Sequence, residues 1–158
     1  MESLQFCLTF LAALGAGLVA GIFFAFSNFV MGALGRVAPE AGISAMQSIN
    51  VVVLNPVFLG LFMGTAALSL ILAVAALLKW SEPGAVYLLA GSVLYFAGCF
   101  LITMLGNVPL NDALAAVNAG SDEGRRVWTH YLSAWTWWNT VRTIASLAAS
   151  AAFIAAMV

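Results

Sequence analysis

Four long apolar runs constrain this chain more than any other feature. They cover residues 4–30, 56–78, 85–106 and 135–158, and a membrane-spanning helix needs about 20 mostly apolar residues. The runs are continuous and lack the apolar–polar alternation of strands in a membrane barrel. Since 64% of the residues are apolar and 7% are charged, we expect an all-α integral membrane protein. It would be a single transmembrane domain, residues 1–158, folded as a four-helix up-down bundle.

The three connections between the runs differ in length. The second, residues 79–84, is a bare turn, whereas the first and third, residues 31–55 and 107–130, are long. Each long connection is predicted to contain a short amphipathic helix, at residues 40–49 and 110–118. In an up-down bundle both long connections lie at one membrane face, which we call the elaborated face. Its arginines, against a single lysine at the other face, predict that the elaborated face is cytoplasmic.

Small residues recur every four positions within the runs. The first run has Ala13, Gly17, Gly21 and Ala25, and the second has Gly60 and Gly64. In lipid, such seams let helix backbones approach and pack closely. They therefore predict tight contacts between the spans.

Aromatic and polar side chains recur along one face of the last run and the segment before it. The members of this stripe are Trp128, Tyr131, Trp135, Trp138, Asn139, Arg142 and Ser146. Their spacing follows the helical repeat, so the stripe can face the bundle interior. Trp135 and Trp138 fit either a pocket wall or an aromatic belt at the membrane surface.

Arg142 is the clearest functional candidate in the stripe. It lies about 10 Å into the last run at 1.5 Å per residue, and the four runs contain no Asp or Glu. A cation at that depth is costly and usually faces the interior or a wet cavity. Snorkelling to the membrane surface is the alternative, but Asn139 lies one turn away and could hold the guanidinium group inward. His130 is the single histidine, and histidine is the side chain that exchanges a proton most readily near neutral pH. It is a candidate for proton transfer, and the alternative is a histidine at the membrane interface without a catalytic role.

Five asparagines gather at the elaborated face. They are Asn28, Asn50, Asn55, Asn107 and Asn111. Helix capping and turn formation account for each of them separately. Their convergence with Arg142 would instead form a polar pocket that binds a substrate.

Several kinds of site lack the residues that they need. The sequence has no Glu-x-x-His pair for a di-iron site, no second histidine for a bis-histidine haem and no glycine-rich phosphate loop. No metal or cofactor is predicted, although a haem held by one histidine is left open. The absence of a basic stripe disfavours nucleic acid. The expected partners are the lipid bilayer and a small lipophilic aromatic molecule, and a homo-oligomer is left open.

Three segments resemble the anthrone oxygenase family of small four-span membrane proteins. They are MQSIN at 46–50, NVPLNDAL at 107–114 and WTWWNTVRT at 135–143. The resemblance implies the four-span fold and, from characterised fungal members, a monooxygenase-type oxidoreductase that converts an anthrone to an anthraquinone with molecular oxygen. One departure is Thr140, where many members have histidine.

The resemblance also implies roles for the candidate residues. An anthrone has an acidic benzylic position beside a carbonyl, and its anion reacts with oxygen without a metal. His130 or Tyr131 would supply the base, and Arg142 with Asn139 would hold the oxyanion. The last two tryptophans of the stripe would stack on the flat ring. The competing hypothesis is a non-enzymatic membrane module, either a small transporter-like protein or an assembly partner of another membrane chain.

Overall fold

The regular elements of the chain are all helical in the part that the computed structural model describes, residues 3–158. The α-helices are α1 (Ser3–Ala25), α2 (Met31–Leu34), α3 (Pro39–Val52), α4 (Pro56–Leu78), α5 (Ala85–Tyr95), α6 (Val108–Ala115) and α7 (Asp122–Ala155). Three π-helical segments are π1 (Phe26–Val30), π2 (Phe96–Leu101) and π3 (Thr103–Asn107). The π segments join neighbouring α-helices, so the chain is continuously helical over Ser3–Leu34 and Ala85–Ala115.

Three helices among the described residues are long and apolar enough to cross a membrane. They are Ser3–Leu34, Pro56–Leu78 and Ala85–Ala115, and the chain is therefore a membrane protein. The fourth predicted run forms the C-terminal part of α7, where Asn139 and Arg142 lower the mean hydropathy. Its membrane crossing and the up-down order of four spans stay predictions.

Both helices predicted within the long connections are confirmed, with different bounds. The first is α3 and the second is α6, which begins earlier than predicted because the helix continues past Pro109. In the preceding π3 turn the Val108 amide donates to the carbonyl of Thr103. Pro109 follows this turn and, because it has no N–H, donates no backbone hydrogen bond to the helix that continues through it.

The buried side chains form two clusters. The larger one, which we call the bundle core, contains Val19, Phe62, Leu72, Tyr95 and Phe153 among others. It lies where α1 packs against α4 and α7, and where α5 packs against the same two helices. The smaller one, the cap core, contains Met31, Ile43, Met46, Leu114, Trp128, Tyr131 and Trp135. The cap core is built under α3 and α6, which supply Ile43, Met46 and Leu114 to it.

The small-residue seam predicted on the second run is wrong for contacts within this chain. A Cβ atom added at Gly60 or Gly64 would meet nothing within 4 Å. The close approaches lie elsewhere, since a Cβ atom at Gly91 would lie 2.8 Å from the Phe153 ring. The Gly91 backbone thus leaves space for a large ring of α7, and this contact joins α5 to α7.

Replacing Gly91 by leucine should therefore destabilise the fold by about 2 kcal/mol, because the added side chain overpacks the contact with Phe153. The matched change Gly60→Leu should not destabilise the fold, because a Cβ atom there meets nothing within 4 Å and leucine favours a helix more than glycine does. Thermal unfolding in detergent, followed by circular dichroism, would measure both. Equal midpoints for the two variants would contradict the assigned packing.

Candidate functional site

A cavity of about 500 Å³ lies between the bundle core and the cap core. Most of its wall is apolar and aromatic, including Phe23, Phe26, Phe62, Phe100 and Trp135. Its polar lining residues are Gln47, Asn50, Thr103, Asn111, Asp112 and Arg142. Small-molecule sites are typically clefts of about 300–1,000 Å³ with apolar walls and a few polar groups. The cavity is therefore the candidate site.

Arg142 contributes a buried cation to this cavity. Its side chain is 5% exposed, and its Nε and Nη2 donate to Oδ1 of Asn139 at 3.1 and 2.8 Å. Nη1 donates to Oγ1 of Thr103 at 3.1 Å, and the guanidinium carbon lies 3.8 Å from the ring centroid of Phe23 and 5.2 Å from that of Trp135. Arg142 forms no ion pair with any of residues 3–158. Three of its five N–H groups donate in these contacts, and Arg142 is one of the residues that line the cavity.

Asn139 holds Arg142 in place, as the sequence predicted. Its Nδ2 donates to the carbonyl oxygen of Phe23 and to Oγ of Ser27, both at 2.7 Å. Since a carbonyl oxygen can only accept, this end of the amide must be the nitrogen. The oxygen of Asn139 is thereby fixed toward Arg142.

An aromatic column on α7 connects the cap core to the cavity. The rings of Trp128, Tyr131 and Trp135 stack in sequence, with centroids 5.6 and 5.8 Å apart. The buried stripe predicted for α7 is thus confirmed at these positions. Trp138 is 36% exposed, packs against Gly106 and is absent from the cavity wall.

A hydrogen-bonded group links the column to two asparagines of the wall. Oδ1 of Asn111 accepts from the Tyr131 hydroxyl and from Nε1 of Trp135, both at 2.8 Å. Nδ2 of Asn50 donates to the Tyr131 hydroxyl at 3.4 Å. Burial raises the pKa of Tyr131, so this hydroxyl stays protonated and acts as a donor.

The other three predicted asparagines lie outside the cavity lining. Asn55 caps α4 by accepting from the amides of Val57 and Phe58, at 3.1 and 3.0 Å. Asn107 is buried and donates to the carbonyl of Trp135 at 3.1 Å, and Asn28 is exposed. The predicted convergence of five amides is therefore reduced to Asn50 and Asn111.

The two residues predicted to transfer a proton, His130 and Tyr131, are also outside the cavity lining. His130 is exposed, and neither His130 nor Tyr131 lines the cavity. In the described part of the chain, no three His, Cys, Asp or Glu side chains are grouped as metal ligands would be. The predicted residues that do line the cavity are Asn50, Asn111, Trp135 and Arg142.

Sequence reasoning missed several residues of the wall. Among the described lining residues, Asp112 alone has a carboxylate, and it is exposed toward solvent. Gln47 joins α3 to the end of α6 by donating to the carbonyls of Leu114 and Val117, at 2.8 and 3.0 Å. Asp112 directly follows Asn111, which the sequence did predict as a site residue, and this adjacency was the signal that could have identified Asp112.

The model of a family described as anthrone oxygenase matches residues 58–152, which is more than half of the chain. The matched region includes Asn111, Trp135, Asn139 and Arg142, whereas α1 and α3 lie outside it. Comparisons with curated proteins and with solved structures gave no match.

The contact between Asn139 and Arg142 can be tested by removing its members separately and together. Asn139→Leu should destabilise the protein by about 2 kcal/mol or more, because a buried cation loses its acceptor. Adding Arg142→Met should recover most of that loss, since no buried charge then remains. Thermal midpoints in detergent would measure the cycle. A double variant no more stable than Asn139→Leu would show that the pair is not coupled.

Proposed function

The chain belongs to the anthrone oxygenase family, and on that premise we propose that it oxidises a lipophilic ring compound with molecular oxygen in the cavity beside Arg142. The observation that carries the proposal is a buried cation without a carboxylate partner, among the described residues, at an aromatic-walled cavity. A buried charge is normally compensated by a partner. A flat apolar molecule that develops negative charge on an oxygen atom would supply that compensation.

Anthrone oxidation is the reaction that this site fits best. Loss of a benzylic proton gives an anion whose charge lies largely on the carbonyl oxygen. The anion transfers electrons to O2 and forms a C–O bond, and protonation gives a hydroperoxide. Loss of water from the hydroperoxide leaves the second carbonyl. One oxygen atom enters the product and the other leaves as water, so anthrone and O2 balance the reaction, and we propose no cofactor.

Arg142 would stabilise the oxyanion in this reaction. Its remaining N–H groups can donate to the charged oxygen, while Asn139 and Thr103 hold the guanidinium group still. Such fixed donors are effective because they need no reorganisation when the charge develops, and losing one typically costs about 100-fold or more in rate. Phe23 and Trp135 would contact the ring of the substrate.

Asp112 is the base that we propose in place of the two groups suggested by the sequence. His130 does not line the cavity, and the Tyr131 hydroxyl is committed as a donor to Asn111. Asp112 has no hydrogen bond or ion pair within residues 3–158 through its carboxylate. Because it is exposed as well as part of the lining, it can take a proton from the substrate and release it to water.

The bilayer would deliver the substrate. We propose that the C-terminal part of α7 is a fourth span, that the four spans form an up-down bundle and that the elaborated face is cytoplasmic. Several apolar residues of the cavity lining are largely exposed, including Val51 at 73%, Leu54 at 64% and Met63 at 54%. A lipophilic ring compound could therefore enter from the lipid.

The alternative of a transporter-like module has less support from the bundle interior. Buried hydroxyl groups of residues that do not line the cavity, those of Ser69, Ser92 and Tyr95, donate to the backbone carbonyls of Thr65, Leu88 and Phe62. A conduit needs polar groups that remain available along its length. The available polar groups are instead those of the cavity at one end.

Purified protein should form anthraquinone from anthrone and O2 faster than a buffer control, and Arg142→Met should lower that rate about 100-fold by removing the oxyanion donors. Arg126→Met, which removes an exposed arginine of the same helix, should leave the rate unchanged. Quinone absorbance would report the rate, and a spectrum taken before substrate is added would test for bound haem or flavin. An Arg142→Met variant as fast as the parent would refute the assignment.

Asp112→Asn should lower the oxidation rate by about 100-fold while leaving anthrone binding under nitrogen nearly unchanged, because an amide cannot accept the proton. Glu123→Gln, an exposed carboxylate at the start of α7, is the matched control. Rates would come from quinone absorbance and affinities from calorimetry. Unchanged turnover in Asp112→Asn would remove Asp112 as the base.

A further inference from the structure

The side-chain amide of Asn111 has a fixed orientation in the cavity wall. Its Oδ1 accepts from the Tyr131 hydroxyl and from Nε1 of Trp135, both at 2.8 Å. An indole N–H can only donate a hydrogen bond, so the atom that faces it must be the amide oxygen. The two ends of the Asn111 amide are therefore not interchangeable, and its nitrogen points away from Trp135.

The amide nitrogen of Asn111 is left available. This nitrogen makes no hydrogen bond within residues 3–158. The fully buried side-chain atoms that lack a partner in this part of the chain are Oδ1 of Asn107 and Oγ1 of Thr136, and Nδ2 of Asn111 is not among them. Asn111 itself lines the cavity. Since its oxygen is turned to α7, its N–H groups are the part of the amide that a molecule in the cavity can meet.

The groups that orient Asn111 are themselves held rigidly. Tyr131 and Trp135 are 1% and 4% exposed, and their rings stack at an interplanar angle of 18°. The Tyr131 hydroxyl gives its proton to Asn111 and accepts from Nδ2 of Asn50 at 3.4 Å. Rotating the Asn111 amide would leave two buried donors facing an NH2 group, which is unfavourable. The donor presented by Asn111 is thus set before any ligand arrives.

We propose that Nδ2 of Asn111 binds a second oxygen atom of the ligand. The cavity then takes flat ring compounds with two oxygen functions: an oxyanion at Arg142 and a neutral acceptor, such as a carbonyl, phenol or ether oxygen, at Asn111. This inference rests on the proposed function in that a ring compound occupies the cavity. A ring with one oxygen atom, unsubstituted anthrone included, leaves the Asn111 donor unpaired, so we expect it to bind about tenfold more weakly than a ring whose second oxygen atom meets that donor.

The experiment compares two probes and two proteins. The probes are 2-hydroxyanthracene and 2-hydroxyanthraquinone, which share a phenol and differ by two carbonyl oxygens. The proteins are the parent chain and Asn111→Asp, titrated by calorimetry in detergent. Aspartate keeps an acceptor oxygen for Tyr131 and Trp135 and has the size of asparagine, so only the N–H donors are lost.

Asn111→Asp should weaken binding of the hydroxyanthraquinone at least tenfold more than binding of the hydroxyanthracene. The titrations are run at a pH low enough to keep both phenols neutral, so that the added negative charge acts on two uncharged probes, and the four affinities are compared as a cycle. Asn28→Asp adds the same charge to an exposed asparagine outside the cavity lining, and it should leave both affinities unchanged.

Two other outcomes separate this inference from the proposed function. If Asn111→Asp weakens both probes by the same factor, Asn111 does not bind the second oxygen, and the proposed oxidation at Arg142 still stands. If the parent chain binds neither probe, the cavity is not a site for ring compounds, and both proposals fail.

Discussion

The burial of the Arg142 cation without a carboxylate partner, within the described chain, is the constraint on which the rest of the site depends. Removing a guanidinium group from water is costly, and hydrogen bonds and ring faces compensate it only when they are held in place. Three elements provide them: Asn139 from α7, Thr103 from π3 and Phe23 from α1. Asn139 is in turn bonded to the backbone of α1. The cation therefore fixes how these helices meet.

The three π segments help to supply the side chains that surround Arg142 and form the cavity wall. All three lie at the cavity end of their helices and contribute Phe26, Phe100 and Thr103 to its wall. A π turn widens the helix by one residue, is seldom favourable by itself and occurs often at functional sites. Each π segment here contributes at least one side chain to the cavity wall. By contrast α4 has no π segment, and its lining residues, among them Phe58 and Phe62, are apolar.

The sequence predicted which residues share one face of a single helix, but it did not predict contacts between residues of different helices. Helical periodicity brings Trp135, Asn139 and Arg142 to one face, and the structure agrees. Trp138 lies about 80° from Trp128 at 100° per residue, at the edge of that face, and its packing against Gly106 keeps it from the cavity wall. No period within a single helix relates Thr103, Phe23 or Asp112 to Arg142. Those contacts depend on helix packing and on the π turns, which the hydropathy pattern does not encode.

The two charges of the cavity lie at different depths, and the proposed chemistry needs that difference. An oxyanion is stabilised best where water is excluded, which suits Arg142 at 5% exposure. A base must instead pass its proton to water after each turnover, which suits the exposed Asp112 on α6. Gln47 ties α3 to the end of α6, so the segment that carries Asp112 is held against α3. With the charges close together at one depth, an ion pair between them would neutralise both groups and leave neither available to the substrate.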